Sequence, residues 1–174
     1  MLSKFFQIAF LIVAGLIANS AGQALPRMEG ETLSGKPIVL PDAAHGKIAL
    51  LAMGFSKKGG DRATEWEKRF KQDFGKDSNY AIYPVAELED APRLVRGMIK
   101  SGMRRGTPPS EQDQFVLLFQ GSAEWKKFVG YAASDEAYLL LLNANGDVMW
   151  HGHGVLSEAG YTPLGEAAKK LAAK

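Results

Sequence analysis

The feature that most constrains the fold is a nearly unbroken apolar run at residues 47–55, which leads through a glycine-containing turn into an amphipathic helix. A run of this kind is typical of a strand buried on both faces of a sheet. Beyond the turn, large or apolar side chains recur at helical spacing, and these are Ala63, Trp66, Phe70 and Phe74. We place the start of this helix near Asp61, a favourable N-cap residue, and its end at Gly75. A doubly buried strand followed by such a helix predicts an α/β protein.

The remaining pattern extends this α/β prediction along the chain. Strands are expected at 31–41 (two, around a turn), 80–86, 115–119, 137–142 and 147–151, and helices at 61–74, 91–105, from 122, and 162–173. Pro84 inside one strand indicates its end or an irregular edge. The Asn-Ala-Asn-Gly sequence at residues 143–146 predicts a hairpin turn. We therefore expect a central mixed sheet flanked by helices, ending in a hairpin and a C-terminal helix.

Composition excludes several classes of function. The chain contains no cysteine, and the thiolate is the nucleophile of thiol–disulfide exchange. Thiol redox and cysteine peroxidase chemistry are therefore excluded, together with disulfides, zinc–thiolate sites and iron–sulfur clusters. A net charge of +2 over 174 residues argues against a dedicated nucleic-acid binder. We expect no cofactor.

Residues 1–24 have the pattern of an export signal. Lys4 supplies the positive charge, an apolar stretch follows, and small and polar residues close the segment. The stretch is shorter than the ~18 apolar residues that a spanning helix needs. We predict cleavage after Ala24, one domain over 25–174 and a periplasmic or secreted location; an uncleaved anchor is the alternative.

Three segments of the chain resemble a known family. They are the Gly-Phe-Ser-Lys-Lys-Gly-Gly turn at 54–60 followed by Trp66 and Phe70, the basic helix at 93–100, and the segment 130–154 with its Asn145-Gly146 turn, Trp150 and Gly152-His153-Gly154. Together they resemble the thioredoxin-like assembly factors of the F-type ATP synthase, mitochondrial chaperones that help membrane subunit a mature.

The resemblance implies a thioredoxin-like fold and an assembly role for this chain. Redox thioredoxins carry a cysteine pair near the positions of Gly60 and Ala63, and a cis-proline near that of Ala137. All three features are missing here, which implies a scaffold without its redox chemistry. The export signal also departs from the family, whose members are imported into mitochondria.

The first candidate binding site is the turn at residues 57–62, called here the vacant turn. It contains three basic residues and two glycines ahead of the predicted helix, namely Lys57, Lys58, Gly59, Gly60 and Arg62. Backbone N–H groups and the helix dipole favour an anion at such a position. The vacant turn is thus a candidate pocket for a carboxylate, phosphate or acidic peptide, and a solvated loop is the alternative.

The second candidate is the predicted helix at 91–105. Four basic residues share one side of it, Arg93, Arg96, Lys100 and Arg104, and the other side carries Leu94, Val95, Met98, Ile99 and Gly102. Such a helix can dock on an acidic protein partner, including a membrane-associated one, or on anionic lipid. The alternative is a helix that packs its apolar side on the sheet and leaves its charges in water.

The third candidate is the pair His151 and His153, which share one face of a strand and could bind Zn²⁺ or Cu²⁺. His45 is the only other histidine, so we expect no metal site. Ser56 lacks a Gly-x-Ser-x-Gly context, and we expect no catalytic residue. Glu87, Glu89 and Asp90 are read as a solvated strand exit.

The sequence therefore favours a redox-inactive binding protein or assembly factor of the bacterial cell envelope, with a chaperone-like rather than catalytic role. Two alternatives stay open. One is an enzyme of non-thiol chemistry, or a metal-binding protein, that uses His151 and His153; the other is a small-anion binder at the vacant turn.

Overall fold

The computed structural model describes residues 23–173, which form one mixed sheet with helices on its faces. The strands are β1 (Gln23–Ala24), β2 (Met28–Thr32), β3 (Pro37–Leu40), β4 (Ile48–Gly54), β5 (Tyr80–Glu87), β6 (Val116–Leu118), β7 (Ala137–Leu142) and β8 (Asp147–Gly154). The helices are α1 (Lys57–Phe74), α2 (Arg93–Gly106), α3 (Ser122–Phe128) and α4 (Glu158–Ala172). The strand order is β1-β8-β7-β4-β5-β6-β2-β3, which confirms the predicted α/β class with its final hairpin and helix.

Strand β4 forms the centre of the sheet. It pairs in parallel with β5 and antiparallel with β7, and all seven of its residues are buried. A strand with neighbours on both edges and helices over both faces has no polar side, which explains its unbroken apolar sequence.

The two faces of the sheet carry separate cores. One face packs Leu51, Met53 and Tyr138 with Trp125 of α3. On the other face, α1 and α4 cover Leu50, Leu139 and Leu141 through Trp66, Phe70, Tyr161 and Leu164. Trp66, Phe70 and Phe74, which the sequence places at helical spacing, therefore lie in this second core. Helix α2 lies over a smaller cluster built on Leu33, Leu88 and Leu117.

The predicted export signal lies almost wholly outside the described residues, and its cleavage stays a prediction. Its last two residues form β1, which pairs antiparallel with Val148 and Asp147 at the start of β8. None of the helices in residues 23–173 combines the length and the apolar character that spanning a membrane requires.

The predicted start of α1 is wrong by four residues. The helix begins at Lys57, and Ser56 is its N-cap, with a side-chain Oγ that accepts a hydrogen bond from the Gly59 N–H at 3.0 Å. Asp61 lies inside the helix and pairs with Lys57. Serine and aspartate are equally good caps, so local preference could not choose between them.

The structure decides between the two expectations for Pro84: the strand does not end there, and the residue lies where β5 is an edge on one side. Pro84 is internal to this strand, opposite Ala52 of β4, and β6 joins β5 only from Val85 onward. Proline is tolerated there because β5 still has a single neighbouring strand at that position.

The prediction of a solvated strand exit is wrong for Glu87 but holds for Glu89 and Asp90, which are exposed. Glu87 is buried, which raises its pKa, and it accepts hydrogen bonds from the Glu89 and Asp90 N–H groups. Glu89 in turn accepts from the Ser122 N–H at 2.7 Å, and Asp90 pairs with Lys126. These acidic residues therefore fix the end of β5 and the start of α3.

Candidate functional site

The vacant turn forms the first turn of α1, and its cations are paired with carboxylates of the same chain. Lys57 Nζ lies 3.1 Å from Asp61 Oδ2. Lys58 Nζ and an Arg62 nitrogen lie 3.0 and 3.4 Å from Asp135 Oδ2. Arg62 also donates a hydrogen bond to the Asp135 carbonyl at 2.6 Å. The cations expected to bind an external anion thus already contact a carboxylate of the protein itself, mainly that of Asp135.

The segment that supplies Asp135, residues 134–136, is called here the closing loop, and it packs directly against the backbone of α1. A Cβ added at Gly59 would lie 2.7 Å from the Ser134 carbonyl oxygen and 2.8 Å from that of Glu136. At Gly60 a Cβ would meet nothing within 4 Å. Only one of the two glycines is therefore required by this close approach.

Electrostatics agree with this geometry. The hydrogen bond from Lys58, with further attraction from its charge and that of Arg62, holds the pKa of Asp135 below its ordinary value. The carboxylate therefore stays ionised at neutral pH, and any external anion has to compete with it for Lys58 and Arg62. Sequence reasoning missed Asp135 because it lies in a loop 73 residues from Arg62, with no local pattern to mark it.

Ser56 is occupied by structural hydrogen bonds. Its hydroxyl donates to the Ser134 carbonyl at 2.7 Å and accepts from the Gly59 N–H. Within the described part of the chain, no histidine or carboxylate is hydrogen-bonded to this hydroxyl. The arrangement caps α1 and ties it to the closing loop, and it lacks the base that a nucleophilic serine needs.

Helix α2 is orientated differently from the sequence-based expectation. None of its residues is buried, and Leu94 and Met98 are 98% and 69% exposed. Ile99 and Met103 pack inward instead. The predicted apolar side is therefore split between the domain and solvent.

The predicted basic side of α2 is split in the same way. Arg96 donates to the carbonyls of Ala91 and Glu89 at 2.9 and 2.8 Å. Lys100 forms an ion pair with Glu31 of β2. These contacts turn Arg96 and Lys100 toward the domain, which explains why the helix presents its opposite side to solvent.

The remaining side of α2, called here the outer face, combines cations with exposed apolar groups. It consists of Arg93, Leu94, Met98, Arg104 and Arg105, all exposed. Arg105 lies on the same side as Leu94, a position that the sequence-based list of four basic residues omitted. Residues 93–106 include no aspartate or glutamate, so the outer face has no internal acidic partner on its own helix.

His151 and His153 lie on the same face of β8, and both are exposed. His153 Nδ1 is 2.7 Å from Glu136 Oε2, and its ring stacks on Tyr138 at a centroid distance of 5.9 Å. His45 lies against the β7–β8 turn at Gly146. Over residues 23–173, no group of three or more histidine, aspartate or glutamate side chains is placed to hold a metal ion.

Comparison with known proteins identifies the fold. No protein-family model matches the chain, and no curated protein matches it. Solved structures do match. A Sco-family cytochrome c oxidase assembly protein is 14% identical with a TM-score of 0.59, covering 88% of this chain and 95% of its own. A thiol-disulfide oxidoreductase from Bacteroides fragilis is 17% identical with a TM-score of 0.57, covering 83% and 98%.

A third match is the exposed lipoprotein thioredoxin of Streptococcus pneumoniae, which is 12% identical with a TM-score of 0.56 and covers 81% of this chain and 98% of its own. Identities this low establish architecture and leave activity to be argued from the residues. The chain has a thioredoxin-like fold, and it lacks the cysteines on which thiol–disulfide exchange depends.

Proposed function

We propose that this protein is a redox-inactive adaptor or assembly factor of the cell envelope, and that it binds a protein partner through the outer face of α2. The observation that carries the proposal is the exposure of Leu94 and Met98 among arginines on a helix with no acidic residue. Scattered exposed apolar side chains are ordinary, whereas an apolar pair framed by arginines on one helix face has the composition of an interface centre.

The energetics favour a protein partner with acidic residues. Full burial of a leucine or methionine side chain contributes about 1.5–3 kcal/mol, so Leu94 and Met98 offer a substantial apolar anchor. Arg93, Arg104 and Arg105 add cations that speed encounter with an acidic surface and form bidentate pairs with carboxylates. Arginine is also among the residues that most often dominate binding energy at interfaces.

The vacant turn is a weaker docking surface on the same criteria. Lys57, Lys58 and Arg62 each have a carboxylate partner within the chain. A partner would have to displace these contacts, and the closing loop occupies the space beside Gly59. This contrast supports placing the interface on α2.

Three sequence and family observations support the assembly role in the envelope. The chain resembles assembly factors of the F-type ATP synthase, and one matching structure is a cytochrome c oxidase assembly protein of the Sco family. The predicted export signal favours a periplasmic or secreted location, where a membrane-associated partner is accessible. Contact with the membrane surface itself would use the same arginines.

Site-specific crosslinking tests the proposal. A photoreactive amino acid is placed at Leu94 in one protein and at Lys127, an exposed residue of α3, in a matched control. After irradiation in the native envelope, we expect a discrete crosslinked protein from position 94 only. Crosslinks that are equal at both positions, or absent at 94, would refute a docking role for the outer face.

A further inference from the structure

A cavity of about 520 Å³ opens between α1, β5 and the segment that follows α2. Its apolar walls are formed mainly by Phe70, Phe74, Tyr80, Ile82, Pro84 and Phe115. The volume falls within the ~300–1,000 Å³ of typical small-molecule sites. The cavity is lined by neither the outer face of α2 nor the vacant turn, so it is a separate candidate site.

One acidic side chain in this cavity has no partner within the described residues. Glu67 of α1 is half-buried and forms no hydrogen bond or ion pair with residues 23–173. Glu111, across the cavity, is already paired with Lys71 at 2.5 Å. A half-buried carboxylate without a partner loses part of its hydration, which disfavours its charged form.

The charges around Glu67 show why it is poorly stabilised. Burial raises its pKa to about 7, and the negative charge of Glu111 adds to the shift. Lys68, from the same helix, opposes the shift but is itself exposed at the rim. The Lys71 ammonium is held by Glu111, so Glu67 is the acceptor left open to a ligand.

We propose that this cavity binds an organic ammonium compound, with the ammonium paired to Glu67 and an aromatic or branched apolar body on the floor formed by Phe70, Phe74 and Ile82. Aromatic faces favour a nearby cation as well as an apolar body, so the same walls suit both ends of such a ligand. The proposal is independent of the docking role of α2.

The proposal is tested by nuclear magnetic resonance titration of the full-length protein with 2-phenylethylammonium. The neutral isostere 2-phenylethanol is the control ligand. Both titrations are run at ~pH 8, above the Glu67 pKa of about 7, so that the carboxylate is mostly ionised. We expect amide shifts confined to residues that line the cavity, and at least a tenfold weaker response to the alcohol. Glu67→Gln should weaken ammonium binding about tenfold, equivalent to ~1.4 kcal/mol.

The control variant is Glu65→Gln, on an exposed side of α1 outside the cavity, which should bind as the wild type does. The amide spectrum of each variant also reports whether it is folded. Absence of shifts at millimolar ammonium, equal binding of the alcohol, or unchanged binding by folded Glu67→Gln protein would each overturn the proposal.

Discussion

The vacant turn and the outer face of α2 are both rich in basic residues, yet the fold treats them in opposite ways. In the vacant turn, Lys58 and Arg62 converge on the carboxylate of Asp135. On α2, Leu94 and Met98 stay in solvent beside exposed arginines. Clustered positive charge in a sequence therefore stays open to an external partner only where the fold has not already supplied the anion.

The difference follows from sheet topology. Because β7 pairs with β4, the loop that leads into β7 arrives beside the start of α1, which directly follows β4. Helix α2 instead covers a small cluster near the sheet margin, built on Leu33, Leu88 and Leu117. The vacant turn therefore pairs its charges within the chain, while the outer face of α2 stays uncovered.

The largest expected effect on stability comes from disrupting the contact between the closing loop and the vacant turn. Gly59→Ala would force a Cβ against two backbone carbonyls of the closing loop, and we expect a loss of about 3 kcal/mol in the free energy of unfolding. Gly60→Ala is the matched control, because the added Cβ meets no atom and alanine favours a helix by about 0.5–1 kcal/mol. Urea unfolding measures both, and equal effects of the two substitutions would contradict the close packing.

The next effect concerns Glu67, a half-buried carboxylate that has no hydrogen-bond or ion-pair partner among residues 23–173. Its folded pKa of about 7 lies above its ordinary value of 4.5, so the folded state binds the proton more tightly than the unfolded state. Its relative stabilisation is present below the unfolded pKa and is lost as pH rises through about 7.

Glu67→Gln should therefore stabilise the fold at ~pH 8 by about 1–2 kcal/mol, after discounting for partial exposure, and change little near ~pH 4. Thermal unfolding across this pH range measures the effect. A constant difference between variant and wild type at all pH values would show that Glu67 does not titrate as argued.

A smaller effect is expected when the vacant turn loses its internal carboxylate and its cations become available to an external anion. Asp135→Asn removes the anion shared by Lys58 and Arg62, so phosphate should raise the melting temperature of the variant in a concentration-dependent way. The wild type should show less of this response, because its own carboxylate already occupies the site. Equal stabilisation of both proteins, which phosphate can produce through its general exclusion from protein surfaces, would contradict the claim that Asp135 occupies the site.

The smallest effect on stability is expected from substitutions on the outer face of α2. Leu94→Gln and Met98→Gln remove side chains that are largely in solvent, so stability should change by less than about 0.5 kcal/mol. Ile99→Ala, on the packed side of the same helix, should cost more. A large loss from Leu94→Gln would mean that the outer face is covered by the protein itself.

The features that the sequence predicted correctly are those set by interactions between residues close together in the chain. The apolar run of β4, the helical spacing of Trp66 and Phe70, and the turn before β8 are all confirmed, because each depends on periodicity or turn chemistry within a few residues. The resemblance to thioredoxin-like proteins added the fold, which the matching structures confirm.

The features that could not be predicted depend on distant contacts. Asp135 reaches the vacant turn only through the pairing of β7 with β4. The rotation of α2 follows from contacts of Lys100 with Glu31 and of Arg96 with the carbonyl groups before the helix. The sequence pattern placed the right residues on α2 but could not tell which side would face solvent.

Partner capture from crosslinked native envelope tests the central claim most directly. Wild type is compared with an α2 variant, Leu94→Gln with Met98→Gln, Arg93→Gln and Arg104→Gln, and with a vacant-turn variant, Lys57→Gln with Lys58→Gln. We predict that one specific protein is captured by wild type and by the vacant-turn variant, and is lost from the folded α2 variant. Capture that survives in the α2 variant, or is lost only in the vacant-turn variant, would contradict the account.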